Sequence, residues 1–218
     1  MTAREIQVYF DNERDPSSNL RRESELFETV DRGDSPETLR FWVNSRCLVR
    51  GRARTARYGW YHEDRAGELN IPVVERSTGG GVVYNDEGNL NWSFFFKTSG
   101  PFVSPTTAFG QASAYIISAL KNLGVEASFA PPNRIDVSGR KISGMAAKST
   151  MKTLLVHGTL LLNSNLEELN LLCVPPPGCP PVSNASEFAK EIDSNTVVRE
   201  VLAVLREAGF QVRTEDVM

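Results

Sequence analysis

The sequence predicts an α+β fold, in which helices pack on an antiparallel or mixed β-sheet. Two observations support this. Runs rich in β-branched and aromatic residues dominate the middle of the chain, and segments with helical caps and spacing lie near its ends. The predicted strands cover residues 39–49, 69–74, 82–84, 91–97, 137–142 and 154–162, with a turn at Gly139.

Capping residues and glycine stops mark the predicted helices. Helices are predicted from a cap at Ser18 or Asn19 to Gly33, from Ser104-Pro105 to Gly124, after Asn165, and over 196–208 before Gly209. Residues 174–182, VPPPGCPPV, predict no regular structure, because proline lacks the backbone donor that helices and sheets need.

Composition indicates one globular domain over residues 1–218. A net charge of −3 gives no reason to expect nucleic acid as a partner. No apolar run approaches the ~18 residues of a membrane span, and the N-terminus shows no secretory signal. Three cysteines, an odd number, argue against a disulfide scaffold, so we expect a cytoplasmic protein.

The most informative stretch is residues 76–86, RSTGGGVVYND, which lies between two predicted strands. Three consecutive glycines allow the backbone to approach a ligand closely, and their N–H groups can converge on an anion. The stretch is neither the strand-to-helix G-x-G-x-x-G of a dinucleotide fold nor a G-x-x-x-x-G-K-[ST] loop. A glycine-rich turn without a ligand is the alternative interpretation.

A second segment, residues 133–162, reads NRIDVSGRKISGMAAKSTMKTLLVHGTLLL. Together with RSTGGGVVYNDEGNLNWSF upstream, it resembles the lipoate–protein ligase and octanoyltransferase superfamily, whose relatives include biotin–protein ligases. The resemblance covers roughly residues 39–172 and is closest to the catalytic domain of lipoate–protein ligase A. It implies the fold of that domain, a mixed or antiparallel sheet with packed helices.

The resemblance implies an enzyme that activates lipoate or octanoate with ATP and Mg²⁺ to an acyl-adenylate. The acyl group would then pass to a lysine of a lipoyl carrier domain, and no membrane partner is expected. Within the match G-R-K-I-S-G, Lys141 is the expected catalytic residue, because its ammonium could reach a carbonyl oxygen and a phosphate together.

The resemblance further implies a set of binding residues for the acyl and adenylate groups. They are Arg76, Ser77, Thr78, Gly79, Gly80, Gly81, Tyr84, Asn85, Asn89, Ser143, Gly144, Ala146, Lys148, His157, Gly158 and Thr159. Without the resemblance, other interpretations are open: a surface lysine at 141, a solvated charge at Lys148, a core histidine at 157 and an Asx turn at Asn89.

The chain departs from the family pattern at three places. Asn85 stands where the family has histidine, and Arg134 stands where the family often has a carboxylate that helps hold Mg²⁺. Asp136 could replace that carboxylate, but we expect the strand to point it to the opposite face. The further C-terminal domain of many bacterial ligases has no counterpart, so a separate accessory subunit is a possible partner.

Three alternative functions stay open. A cysteine-dependent octanoyltransferase would use Cys179 or Cys173 as the acyl acceptor. A catalytically weak domain that binds lipoyl-adenylate or a partner subunit is favoured by Arg134 and Asn85. A biotin ligase fits less well, because its G-R-G-R-x-G-R motif is absent.

Arg50, Arg52 and Arg54 alternate along the sequence, so we expect their side chains on one face of a continued strand. They would face an adenylate, an acidic acceptor or solvent.

Overall fold

The computed structural model describes residues 4–52, 60–98 and 104–215. The helices are α1 (Pro16–Arg32), α2 (Glu63–Glu68), α3 (Pro105–Asn122), α4 (Leu166–Leu172) and α5 (Ser194–Glu207). The strands are β1 (Arg4–Asp11), β2 (Glu37–Trp42), β3 (Cys47–Arg50), β4 (Val73–Glu75), β5 (Val82–Asn85), β6 (Asn89–Lys97), β7 (Ala127–Ala130), β8 (Arg134–Val137), β9 (Arg140–Ser149), β10 (Thr153–Leu161) and β11 (Phe210–Thr214).

Eight strands form one mixed sheet in the order β11-β1-β2-β6-β10-β9-β8-β7. The first three strands of this order run parallel to one another, and the remaining pairs are antiparallel. A second sheet has the order β4-β3-β5, with β4 parallel and β5 antiparallel to β3. The predicted α+β class with a mixed sheet is therefore confirmed.

Both faces of the large sheet are covered by helices. In β6, Phe94 lies in the main core with α3 and α5, whereas the next residue, Phe95, packs with Phe27 of α1. In β10, Val156 and Leu155 divide between the same two cores. Neighbouring strand residues point to opposite faces, so a continuous apolar run is the expected pattern for strands that are buried on both sides.

The predicted helices form, with one error at a cap. Gly33 ends α1 at φ +87°, and Ser104 caps α3 before Pro105, both as predicted. The cap predicted at Ser18 or Asn19 is wrong, because Asp15 accepts from the Ser18 N–H and Pro16 already begins the helix. None of the helices in the described part of the chain is both long and apolar enough to cross a membrane.

The single strand predicted over 39–49 is wrong, because the chain makes two strands there, in two different sheets. Between β2 and β3 the chain leaves the large sheet at Asn44, whose buried amide bonds Asn19 and Asn85. The strand predicted over 69–74 shortens to β4, and the edge strands β1 and β11 have no counterpart among the predicted elements.

A β-bulge shapes the hairpin formed by β8 and β9. Ile135 pairs with Ser143, but the next residue, Asp136, pairs with Lys141, so Ile142 is an extra residue on β9. Because of the bulge, Lys141 and Gly144 share one face of the strand although they lie three residues apart. The turn before β9 uses positive φ angles at Ser138 and Gly139, as predicted for a turn at Gly139.

Candidate functional site

The glycine-rich stretch forms the loop 76–81, which links β4 to β5. Since β3 lies between these two strands, the loop crosses the end of β3. The Gly51 N–H donates to the Gly81 carbonyl at 3.0 Å, and the Arg52 N–H donates to the Thr78 carbonyl at 2.9 Å. A side chain at Gly51 would collide with the backbone of Gly79 and Gly80. Two backbones therefore meet here without room for a Cβ.

The three glycines of the loop differ in the space that a side chain would find at each position. Gly80 has φ +96°, which L side chains rarely adopt, and its missing Cβ would lie 2.9 Å from Arg76 Nη2. The indole of Trp60 lies directly against Gly81. A Cβ at Gly79 would meet nothing within 4 Å. The loop therefore presents an open backbone face at Gly79.

Arg76 is buried and holds the loop from inside. Its Nε donates to Thr78 Oγ1 at 3.0 Å, Nη1 to the Val49 carbonyl at 3.1 Å, and Nη2 to the carbonyls of Gly79 and Gly81 at 2.8 and 3.1 Å. Burial lowers the pKa of Arg76 to about 10, against an opposing effect of Glu23. The guanidinium fixes the backbone of the loop; its predicted contact with a ligand stays a prediction.

His157 connects the loop to the large sheet. Its Nε2 lies 2.8 Å from Thr78 Oγ1, and its Nδ1 lies 2.8 Å from Glu23 Oε1 on α1. Ser93 of β6 donates to the same carboxylate oxygen at 2.5 Å. Burial of Glu23 would raise its pKa, but His157, Ser93 and Arg40 outweigh burial and hold that pKa below its usual value.

Glu23 and Ser93 are absent from the predicted site. A signal for Glu23 exists in the sequence, because it falls on the apolar stripe of α1, three residues after Leu20 and three before Leu26. A carboxylate on the buried face of an amphipathic helix requires a partner. The identity of that partner, 134 residues away, depends on the fold.

Lys141 lies on β9 on the same face as its cross-strand partner Asp136. Its side chain bends over Gly144, where a Cβ would lie 3.1 Å from both Cε and Nζ. Burial lowers the pKa of Lys141, and Cys179, Arg134, Asp136 and Cys173 are charged or ionisable neighbours. In the described part of the chain, Lys141 Nζ takes part in no hydrogen bond or ion pair.

The expectation that Asp136 points away from Arg134 is wrong. Residues two apart on a strand share a face, and Arg134 Nη2 lies 3.1 Å from Asp136 Oδ2. The Asp136 carboxylate is thus paired with Arg134, an arginine of its own strand. Among the described residues, no three His, Cys, Asp or Glu side chains cluster as metal ligands do.

The remaining predicted residues of β9 and β10 occupy different surroundings. Ala146 pairs with His157, and Lys148 places its ammonium 4.0 Å from the Phe27 ring centroid. Ser143 is buried, and its hydroxyl has no hydrogen-bond partner among the described residues. Gly158 is required by packing, because a Cβ there would lie 2.5 Å from the Trp92 indole. Thr159 pairs with Asn91 and is half-buried.

Tyr84 and Asn85 end β5, and Asn89 begins β6. The Tyr84 hydroxyl donates to Glu168 Oε2 at 2.5 Å; burial and this bond raise its pKa. Asn85 accepts from Asn44 and donates to the Tyr84 carbonyl. Asn89 is fully buried, and both polar atoms of its side chain lack a partner in the described chain. An unpaired buried amide is costly, and the predicted contact of Asn89 with a ligand stays a prediction.

A cavity of about 450 Å³ lies beside the glycine loop. One wall is formed by the first turns of α1, with Leu20 and Ser24, and the other by β4 and the loop, with Arg76 and Ser77. Lys141 is not among its lining residues. Five of the predicted residues thus form a strip from Lys141 through Gly144, Ala146 and His157 to Thr78 of the loop, whereas the cavity lies between the loop and α1.

The alternating arginines, Arg50, Arg52 and Arg54, are not part of this strip. Arg50 and Arg52 both approach Glu75, at 3.5 and 3.9 Å, and Arg54 lies outside the described residues. Arg50 and Arg52 therefore share a partner on the neighbouring strand β4, as expected for residues on one face.

A structure from a study of a bipartite lipoate protein ligase and its E2 lipoyl domain from Thermoplasma acidophilum superposes with a TM-score of 0.81 at 21% identity, over 97% of this chain and 86% of that chain. A lipoate-protein ligase A bound with ATP gives 0.77 at 21% identity, over 100% and 90% of the two chains. At such identities the likeness shows the fold.

Sequence comparison identifies the family. A lipoate-protein ligase A from Psychrobacter cryohalolentis is 32% identical over 206 residues, which cover 88% of this chain and 57% of that protein. The chain thus spans little more than half the length of this relative. The family model for the lipoyl protein ligase A/B catalytic domain matches residues 15–206, so the chain belongs to that family.

Proposed function

We propose that residues 1–218 form the catalytic domain of a lipoate–protein ligase. Lipoate or octanoate would attack the α-phosphate of ATP, giving an acyl-adenylate and releasing pyrophosphate. The amine of a lysine on a lipoyl carrier domain would then attack the acyl carbonyl, forming the amide and releasing AMP. The family and the relatives that carry this name support the proposal.

The observation that carries the proposal is the state of the Lys141 ammonium. It has no protein partner in the described chain, and burial disfavours its charged form. A bound carboxylate or phosphate would supply the missing counter-charge. An ammonium placed beforehand at such a position stabilises the charge that develops during acyl and phosphoryl transfer.

The glycine loop and its neighbours would hold the two halves of the adenylate. The open face at Gly79 allows backbone contact with the ligand, and Asn89 offers a buried amide with free donors and an acceptor. The described residues do not fit a metal cage of their own. The Mg²⁺ expected from the sequence would therefore enter on the phosphates of ATP, as is common for this ion.

A separate accessory subunit is part of the proposal as a candidate partner. The bipartite ligase of T. acidophilum supports this idea and the lipoyl domain as partner. The decisive experiment is ATP–pyrophosphate exchange that depends on lipoate or octanoate, with and without a candidate subunit. Exchange without any added acid, or none under either condition, would contradict the proposal.

Serine in place of Cys173 or Cys179, singly or together, should leave most ATP-dependent lipoylation intact. An acyl-adenylate is already activated, so the acceptor amine needs no covalent enzyme intermediate, whereas an octanoyltransferase needs a thiolate. The measurement is intact-mass analysis of the protein with octanoyl carrier protein, beside lipoylation of an acceptor domain. A hydroxylamine-labile adduct that disappears in one serine variant would replace the ligase proposal by the transferase alternative.

Alkylation should show that Cys173 is a poor nucleophile. Burial raises the pKa of its thiol to about 11, so at pH 8 iodoacetamide should modify it about 10²-fold more slowly than a free cysteine of pKa about 8.5. The rate should keep rising through pH 10, since the thiolate fraction grows until the pKa is passed. Peptide mapping measures the alkylation rate of Cys173, and urea-unfolded protein is the control. A plateau near pH 9 would show an ordinary thiol.

A further inference from the structure

A continuous chain of hydrogen bonds runs from the large sheet through α1 to the glycine loop. Ser93 donates to Glu23, His157 lies between Glu23 and Thr78, and Arg76 donates to Thr78. Glu23 is 1% exposed and Thr78 is 2% exposed, so water does not compete for these groups. We name Glu23, His157 and Thr78 the relay.

The donors and acceptors of the relay are compatible with one arrangement of protons on a neutral imidazole. The Arg76 Nε–H can only donate, so Thr78 Oγ1 accepts from it. The Glu23 carboxylate can only accept, so the single proton of the His157 ring is on Nδ1 and is donated to Glu23. His157 Nε2 is therefore an acceptor, and the Thr78 hydroxyl donates its proton to it.

The relay joins the two walls of the cavity. Leu20 and Ser24, which flank Glu23 on α1, line one wall. Arg76 and Ser77, which precede Thr78, line the other. Arg76 also holds the carbonyls of Gly79 and Gly81, so the position of Thr78 is transmitted to the glycine backbone.

We propose that Glu23 is a positioning residue: through His157 it fixes the tautomer that receives the Thr78 hydroxyl, and so sets the glycine loop at a defined distance from α1. This inference rests on the proposed function only for the identity of the ligand that the loop would hold. Glu23 acts through His157, and its own carboxylate needs no contact with the substrate for this role.

Glu23→Met removes the acceptor and keeps an apolar side chain of similar length. Without the carboxylate, nothing holds the His157 proton on Nδ1, and a proton on Nε2 would turn the Thr78 hydroxyl from the donor into the acceptor of that bond. Glu23→Gln keeps an acceptor oxygen and should restore the relay in part. Thr78→Val cuts the relay at its other end with little change in volume.

Glu37→Met is the matched control. Glu37 is also a buried glutamate, 5% exposed, and it bonds Arg4 and the Lys97 N–H at the other end of β2 and β6. Its replacement likewise removes a buried carboxylate and lowers stability. It does not touch the relay, so it reports what general destabilisation does to the loop.

The first measurement is hydrogen exchange of the segment 76–81 in protein without ligand. We expect at least tenfold faster exchange in Glu23→Met and Thr78→Val, a smaller increase in Glu23→Gln, and none beyond global unfolding in Glu37→Met. Unchanged exchange in folded Glu23→Met, or equal acceleration in Glu37→Met, would overturn the inference. If Glu23→Met does not fold, Glu23→Gln and Thr78→Val decide the matter by the same criterion.

The second measurement is the imidazole ¹⁵N spectrum above the usual histidine pKa range. The chain has two histidines, so His157 can be assigned beside the exposed His62. We expect the Nδ1–H tautomer in wild type and in Thr78→Val, and its loss in Glu23→Met. An Nε2–H tautomer in wild type would also overturn the inference. Neither measurement requires ligase activity, so failure of the proposed function is seen separately, in the exchange of pyrophosphate.

Discussion

Lys141→Ala should lower acyl transfer by ~10²-fold or more, because losing one preorganised charge donor typically removes ~3 kcal/mol of transition-state stabilisation. Loss of the Lys141 charge should not lower the stability of the fold. Burial lowers the pKa of Lys141, so protonation of this group opposes folding at neutral pH, and its removal relieves that cost. The free energy of unfolding should change little.

Three variants in one assay test this. Lys141→Ala and Lys141→Arg are compared with Lys152→Ala, which changes an exposed lysine at the tip of the β9–β10 hairpin. Lys152→Ala should keep full turnover, and arginine at 141 should rescue poorly, since a planar guanidinium cannot replace a compact ammonium over Gly144. Pyrophosphate exchange and mass analysis of the acceptor report the two half-reactions. Wild-type turnover in Lys141→Ala would remove this residue from the mechanism.

Gly80→Val should reduce affinity for a non-hydrolysable lipoyl-adenylate analogue at least tenfold. The valine would have to adopt φ +96°, and its Cβ would lie 2.9 Å from the Arg76 Nη2 that holds Gly79 and Gly81. The backbone strain alone costs about 1–3 kcal/mol. The loop would therefore move away from the geometry that Arg76 imposes on it.

The control for this variant is Gly33→Val, at the C-terminal end of α1. Gly33 has φ +87°, and a Cβ there would meet nothing within 4 Å. Its replacement should cost similar stability without affecting the ligand. Calorimetric titration measures the affinity, and urea unfolding measures the stability. Equal affinity of Gly80→Val and wild type would show that the loop is a turn without a ligand.

Local sequence patterns predicted most of the elements that surround the site. Proline and serine at the start of α3, and glycine after α1, act through their own backbone geometry, so they can be recognised without knowing the fold. Edge strands β1 and β11 could not be recognised in this way. Arg4 pairs with Phe210, so these strands exist only because the two ends of the chain meet.

The errors at the site have physical reasons of the same kind. The run 39–49 is rich in residues that favour strands, and only the buried amide network of Asn44 shows why it divides between two sheets. The structural role of Arg76 could not be predicted either, because the Val49, Gly79 and Gly81 carbonyls that it bonds come together only in the fold, whereas its contact with a ligand stays a prediction. The error at Asp136 needed no structure to avoid, since the period of a strand already places it beside Arg134.

The relay also determines when the site can form during folding. Thr78 is 79 residues from His157, and Glu23 is 134 residues from it, so both bonds close long loops of chain. Contacts between such distant residues form slowly, because their loop-closure entropy must be overcome first. A nascent chain that ends before β10 would carry the complete glycine motif without the bonds that shape it. We therefore expect binding competence to be among the last properties that the folding chain acquires.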